Sequence, residues 1–297
     1  MAAVDTATRT LVSRTQLNRP AGKAAYWTTL CVLLVLFTLV FLFPLYWLLS
    51  GGLKSAQEFA QIPPSLTPAH PRPGNFATAW SDAGLARLLW NTTYYAAGAL
   101  VFQLVFDVAA AYAFSKLRPA FGNVLMFGMM ATLMIPTSVL ALPAYLTANS
   151  LPFLHWSLLN SPWVIWLPSV ASNAFSILLL KRFFDSVPAE LLAAASIDGA
   201  GPLRALWSVI LPMSRPILGV VSIFAVVNVW KDFLWPLLTL TDTSAQTINI
   251  GLFQLSVGLP ENILIAALAI ASLPTIAFFL IFQRNIMSGL TAGSLKG

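Results

Sequence analysis

An all-α membrane protein with six spanning helices is the fold class that this sequence predicts, and three observations carry the prediction. Of its 297 residues 58% are hydrophobic and 9% charged, with a mean hydropathy of +0.79. A soluble domain carries about 25% charged residues and could not cover its surface with so few. The apolar residues gather into six stretches of the length, roughly 20 residues, that a helix needs to cross a bilayer core of about 30 Å. Lysine and arginine are also distributed unequally between alternate connections.

The six stretches are residues 26–49, 92–114, 124–146, 158–180, 216–240 and 263–282. Pro44, Pro136, Pro143, Pro168, Pro236 and Pro274 lie inside them. Spanning helices tolerate proline where neighbouring groups satisfy the freed carbonyls. The fifth stretch is long enough to tilt, or to break near Pro236.

Orientation follows from the basic residues of the short connections. With the N-terminus inside, the cytoplasmic segments carry Arg9, Arg14, Arg19, Lys23, Lys116, Arg118, Lys181, Arg182, Arg204, Arg215, Arg284 and Lys296. The outer loops carry only Lys54, Arg72 and Arg87. Both termini are therefore expected in the cytoplasm. The expected organisation is a tail over residues 1–25, a membrane domain over 26–285 with a cytoplasmic loop at 181–215, and a tail over 286–297. The polar N-terminal segment is long and no small-residue cleavage site follows the first apolar run, so a secretory signal is not expected.

Several function classes are disfavoured. The net charge of +6 forms no basic run interleaved with aromatics, so nucleic acid is not an expected partner. Cys31 stands alone, and His70 and His155 are far apart, so neither a disulfide framework nor a metal site is expected. No GxxxxGK[ST] phosphate loop, GxSxG elbow or HExxH pair occurs, and the chain is expected to be neither an ATP binder nor an enzyme.

The connection 181–215 is too long for a turn and too polar for a span. Pro188 and Glu190 suit the first turn of a helix, by the fixed φ of proline and the attraction of a carboxylate to the helix dipole. Ala189 to Ala195 are mostly strong helix formers. Gly199 and Gly201 interrupt the run, and Pro202 can begin a second helix ending near Pro212. Two short helices joined by a glycine bend are expected. Ala193, Ala194 and Ala195 leave one face nearly flat, open to another backbone. Asp198 caps the second helix or braces the bend.

This loop resembles the signature of ABC importer permeases, E-A-A-x3-G-x9-I-x-L-P. It falls here on Ala193, Ala194, Ala195, Gly199, Val209, Leu211 and Pro212. The Ile197-Asp198-Gly199-Ala200 core is similar to that of the maltose-importer-like, carbohydrate-uptake branch. The segments Trp230–Leu237 and Phe282–Gly297 agree, the latter with the smaller permease of such systems. The signature glutamate is Ala193 here and its isoleucine is Val209; the nearest carboxylate, Glu190, lies about one turn earlier.

The resemblance implies a type I ABC importer permease fold in a bacterial or archaeal cytoplasmic (inner) membrane. It implies a second homologous permease, a dimeric cytoplasmic ATPase that holds the ATP and Mg, and an extracytoplasmic solute-binding protein. The loop would dock on the ATPase, with Glu190 or packing alone in place of the missing glutamate. The cargo would be a sugar or related polyol, and no cofactor is expected in this chain.

Ionisable residues within spans are costly and are functional candidates for that reason. Asp107 lies in the middle of the second stretch; Asn228, Lys231 and Asp232 lie in the fifth. They are candidates for a translocation path, with structural pairing between helices as the plainer alternative. In an ion-coupled secondary transporter, the rival reading, Asp107, Lys231 and Asp232 would be coupling sites. That architecture predicts inverted repeats, and no repeat is visible. Asn91-Thr92-Thr93 matches a glycosylation acceptor, or more simply caps the second span.

Overall fold

Proline and glycine set most of the element boundaries. The computed structural model describes residues 19–171 and 173–292, with side chains omitted for 171 and 284–292. The basic residues Arg9, Arg14 and Lys296, and the last five residues of the tail motif, lie outside the described residues, as does the Arg284 side chain.

The first helix, α1 (Pro20–Gly52), begins with proline at its first position, where the missing N–H costs nothing. Its 33 residues span about 50 Å, more than a bilayer core. It is apolar on all sides and exposed along nearly its whole length, with only Ser50, Gly51 and Gly52 buried. After the short α2 (Ala56–Phe59) and α3 (Gly74–Asp82) comes α4 (Leu85–Tyr112), extended by a π-helical turn, Ala113–Leu117.

The third apolar stretch forms two helices, α5 (Gly122–Thr132) and α6 (Thr137–Asn149), bent by 104°. Pro136 explains the break: its ring excludes the carbonyl four residues earlier and offers it no donor, and α5 ends at that residue, Thr132. The fourth stretch forms α7 (Trp163–Ala171) and α8 (Ala174–Ser186). The fifth forms α12 (Arg215–Lys231) and α13 (Leu234–Thr239), and Pro236 acts as Pro136 does, since the helix ends beside Asp232, four residues before it. Between α8 and α12 lie α9 (Ala189–Ile197), α10 (Pro202–Ala205), a second π turn (Leu206–Ile210) and α11 (Leu211–Met213). The chain continues through α14 (Ile248–Leu255) to α15 (Glu261–Ala292).

Among the described residues, three helices are unbroken, long and apolar enough to cross a membrane, and counting each bent pair as one span raises the number to as many as six. α4 is the central post, packed against α7, α8, α12 and α14. It contributes to all three buried clusters: Leu85 and Leu88 with Ile248 and Ile263 at one end, Tyr95 with Val164 and Leu240 in the middle, and Val108, Ala111 and Tyr112 with Phe184, Ile210 and Val221 at the other end.

Close approach between α4 and α7 requires Gly98. A Cβ there would lie 2.2 Å from the Trp166 indole. Without one, Trp166 stacks on Phe102 with ring centroids 5.5 Å apart and donates from Nε1 to the Tyr95 carbonyl at 3.2 Å.

Asn91 corrects the capping expectation. α4 begins at Leu85, behind Gly84 in the left-handed region (φ 56°), so Asn91 lies within the helix. Its amide instead donates to the carbonyls of Ser244 (2.7 Å) and Gln246 (3.0 Å). Thr92 Oγ1 accepts from the Ile248 N–H at 2.9 Å, and the Tyr95 hydroxyl donates to the Ala245 carbonyl at 2.8 Å. Together they clamp the loop before α14 onto α4.

Candidate functional site: the Lys181–Arg215 connection

The alanine-rich run folds as α9, with Pro188 before it and Glu190 in its first turn. Its end is a Schellman motif. The Ala200 N–H donates to the Ala195 carbonyl at 2.8 Å, and the Gly199 N–H to the Ser196 carbonyl at 3.1 Å. Gly199 holds φ at 76°, where a side chain is disfavoured. Asp198 is the C-cap of this first helix, and Gly201 precedes the second without a side-chain cap. Asp198 therefore does not cap the second helix.

The second helix starts with Pro202 at its first position. It widens into the π turn before Pro212, with the Leu211 N–H reaching back five residues to the Leu206 carbonyl. Such a bulge accommodates a proline that cannot donate to Ser208. The segment Pro202–Met213 then meets α12 at 84°. The corner is Ser214, which is buried and donates from Oγ to the Ile210 carbonyl at 2.7 Å.

One face of this connection is fastened to the bundle. Ala205, Leu206 and Ile210 are buried, and Leu192 and Leu211 pack on the same cluster. The Tyr112 hydroxyl, from α4, donates to the Pro202 carbonyl at 2.9 Å. Lys116 Nζ donates to the Val187 carbonyl at 3.1 Å. Ser115 Oγ donates to Asp185 at 2.7 Å, and Lys181 pairs with the other oxygen of Asp185 at 2.7 Å.

The other face has no cover. Glu190, Ala193, Ala194, Asp198, Gly199 and Pro212 are exposed, and Ala195 and Leu211 are half-buried. Ile197 is 86% exposed, Leu203 73% and Trp207 71%. Unlike the exposed side chains of α1, these three lie in a polar connection outside the long apolar stretches, and exposed apolar surface in such a place is a candidate for interaction.

The intramembrane candidates are not brought together. Asp107 is wholly buried in α4, where its Oδ2 accepts from Gln103 Nε2 at 3.2 Å. The same amide approaches Ser176 Oγ of α8 at 3.3 Å, and Asp107 Oδ1 has no partner among the described residues. Asn228 and Lys231 are exposed and Asp232 is half-buried. This group lies two to three turns along α12 from Val221, which packs in the same cluster as Val108. The break after Lys231 is satisfied by Asn249 of α14, whose amide donates to the carbonyls of Trp230 (2.8 Å) and Asp232 (3.2 Å). Sequence reading missed Asn249, and it missed Tyr112, because each acts on a carbonyl remote in sequence.

Residues 107–291 match the family model of the binding-protein-dependent transport system inner membrane component. The chain is 32% identical over 259 residues to the sulfoquinovosyl glycerol transport system permease protein of Agrobacterium fabrum, covering 86% of this chain and 89% of that one. It is 29% identical to the diacetylchitobiose uptake system permease protein of Streptomyces coelicolor, over 89% and 87% of the two chains. With the sn-glycerol-3-phosphate transport system permease protein of Yersinia enterocolitica the identity is 31%, over 87% and 94%. The fold matches that of a bacterial ABC transporter involved in the import of the acidic polysaccharide alginate. The TM-score is 0.79 and the identity 23%, over 93% of this chain and 99% of that one. The chain belongs to the family of binding-protein-dependent transport system inner membrane components, the permease subunits of ABC importers.

Proposed function

We propose that this chain forms half of a translocation path for a sugar or related polyol, delivered by an extracytoplasmic binding protein. It crosses the membrane six times with both termini in the cytoplasm, and the connection 181–215 docks on a partner ATPase. A second, homologous permease completes the path. ATP and Mg act in the ATPase dimer.

The observation that carries this reading is the two-sided character of the connection. One side is tied to α4 through Tyr112 and Pro202; the other presents Ile197, Leu203 and Trp207 to solvent. An ATPase can drive a permease only through contacts that differ between the permease's two states. An element rigidly attached to the bundle and open on its outer face supplies such contacts. The 84° corner at Ser214 suits a helix lying along the membrane surface at the foot of α12. Ala193 and Ala194 are flat and exposed, so apolar packing with Ile197 and Trp207 takes over from the missing signature glutamate.

The substrate class rests on the relatives, whose named solutes are a sulfosugar glycerol conjugate, a chitobiose derivative and a glycerol phosphate. Asn228, Lys231 and Asp232, with Trp230, are the path candidates, because Asn228 and Lys231 are polar and exposed at the end of α12 and Asp232 is half-buried beside them. Asp107, closed in by Gln103 and Ser176, serves the interior of the bundle in this conformation.

The experiment is a mild-detergent affinity purification of the chain from its native membrane, with every co-purifying protein identified. An ATPase and a second permease are expected. Recovery of the chain alone, folded and active in ion-driven uptake, would overturn the proposal.

A further inference from the structure

Beside the connection lies a cavity of about 520 Å³, walled in part by Ser115, Lys116, Lys181 and Asp185, which fasten the connection to the bundle. Its wall includes Lys116, Arg118 and Lys181 against a single carboxylate, Asp185, so it carries an excess of two positive charges. Asp185 is already occupied by Ser115 and Lys181. Lys116 spends one of its three donors on the Val187 carbonyl. The Arg118 guanidinium has no hydrogen-bond or ion-pair partner among the described residues, leaving its planar set of donors available.

The rim has the opposite character. Phe121, in the wall beside Phe114, Pro119 and Met126, is 80% exposed, and beyond the wall Val124 and Phe127 on α5 are exposed as well. Arg118 and Phe121 both hold left-handed φ, 47° and 63°, a conformation uncommon for residues with side chains. Strain of this kind persists where the surrounding structure over-determines it, and it clusters at ligand sites. The cavity lies next to the end of the apolar stretch that runs to Leu117, with Gly122, Asn123 and Met126 at the start of α5 in its wall.

We propose that this cavity binds the headgroup of an anionic phospholipid, a phosphodiester carrying one negative charge. Arg118 and Lys116 hold the phosphate, and the acyl chains lie along Phe121, Val124 and Phe127. A basic pocket between helices at a membrane surface is suited to such a headgroup, and bidentate contact from arginine fits phosphate oxygens. The apolar flank argues for a lipid over a soluble phosphate, which would gain nothing from it. The proposal requires only that the chain lie in a bilayer, so it stands independently of the importer reading.

The test uses the purified full-length chain, with whatever subunits accompany it, in nanodiscs of phosphatidylcholine with a minor fraction of phosphatidylglycerol. Native mass spectrometry after release counts the bound lipid. The wild-type protein is expected to retain phosphatidylglycerol over phosphatidylcholine, and Arg118→Glu to lower that retention at least about tenfold. Arg118→Lys is expected to keep most of it. Should Arg118→Glu fail to fold, Arg118→Gln replaces it, with an expected loss of about fivefold. Equal retention of the two lipids would overturn the proposal. So would displacement of phosphatidylglycerol by millimolar inorganic phosphate, which would make the site one for a soluble anion. Loss of a bound protein subunit from Arg118→Glu with lipid retention unchanged would assign the pocket to an acidic protein segment, and would equally overturn it.

Discussion

The Tyr112 hydroxyl donates to the Pro202 carbonyl across 2.9 Å, joining the end of the central helix α4 to the first residue of the second connection helix. The ring is buried in the same cluster as Val108, Ile177, Leu180 and Ile217, while the bond itself is part-buried at the edge of that cluster. Any displacement of Pro202 is therefore felt directly by the helix that contributes to all three core clusters.

Tyr112→Phe keeps the ring and removes only this bond. The expected stability cost is about 0.5–1.5 kcal/mol, small enough for assembly to survive. Coupling is expected to loosen, with basal ATP hydrolysis of the assembled transporter rising and its stimulation by solute falling severalfold. Equal basal and stimulated rates in mutant and wild type would show that the bond is structural only.

At Gly199 the expected effects follow backbone conformation, not space. No atom lies within 4 Å of a Cβ built there, yet φ is 76°. Gly199→Ala is expected to cost about 1–2 kcal/mol locally, and Gly199→Val more. Gly199→Asn is expected to be close to wild type, because asparagine enters the left-handed region readily. The readout is solute-stimulated ATP hydrolysis by the assembled complex, ranked Gly, Asn, Ala, Val. Gly199→Asp, also a short side chain able to bond locally, should fall between Asn and Val. A ranking by side-chain size would remove the Schellman geometry from the explanation.

Much of this site is legible in the sequence, for physical reasons that can be named. The glycine bend is readable because Gly199 follows a run of helix formers and Pro202 can only restart a helix. The breaks at Pro136 and Pro236 are harder. Proline is tolerated inside helices at Pro44, Pro143, Pro168 and Pro274, and composition alone does not separate the two outcomes. What separates Pro236 is Asn249, which satisfies the opened carbonyls from another helix. Asn91 reads as a cap in the sequence because an asparagine before an apolar run is a sound local signal. The true start at Leu85 depends on Leu85 and Leu88 packing against Ile248 and Ile263, a tertiary effect.

Ile197 and Trp207 offer a sharper test of docking than the alanines do. Both are largely exposed, so Ile197→Asp and Trp207→Ala are expected to change the stability of the isolated chain by no more than about 0.5 kcal/mol. If they anchor the ATPase, as buried aromatic and aliphatic anchors do in interfaces, each loses about 2 kcal/mol or more of binding. Co-purification of the ATPase should then fall while membrane insertion and thermal stability hold. Undiminished recovery of the ATPase with both variants would place the interface elsewhere.

Asn249 separates a local repair from a role in the path. Its amide is the described donor to the carbonyls of Trp230 and Asp232 where α12 ends. Asn249→Leu keeps the approximate volume and leaves both carbonyls without that donor. An unsatisfied buried polar group costs about 1–3 kcal/mol, so a drop in thermal stability of the purified protein is expected. Asn249→Asp places an acceptor against two acceptors and should be worse. Asn249→Gln retains the donor on a longer stem and should recover part of the loss. If the break serves only to seat Pro236, uptake will fall in proportion to the folded fraction. A loss of uptake well beyond the loss of folded protein would instead show that the geometry of Trp230–Asp232 matters to transport itself, because the Asn249 amide bonds to the carbonyls on either side of Lys231.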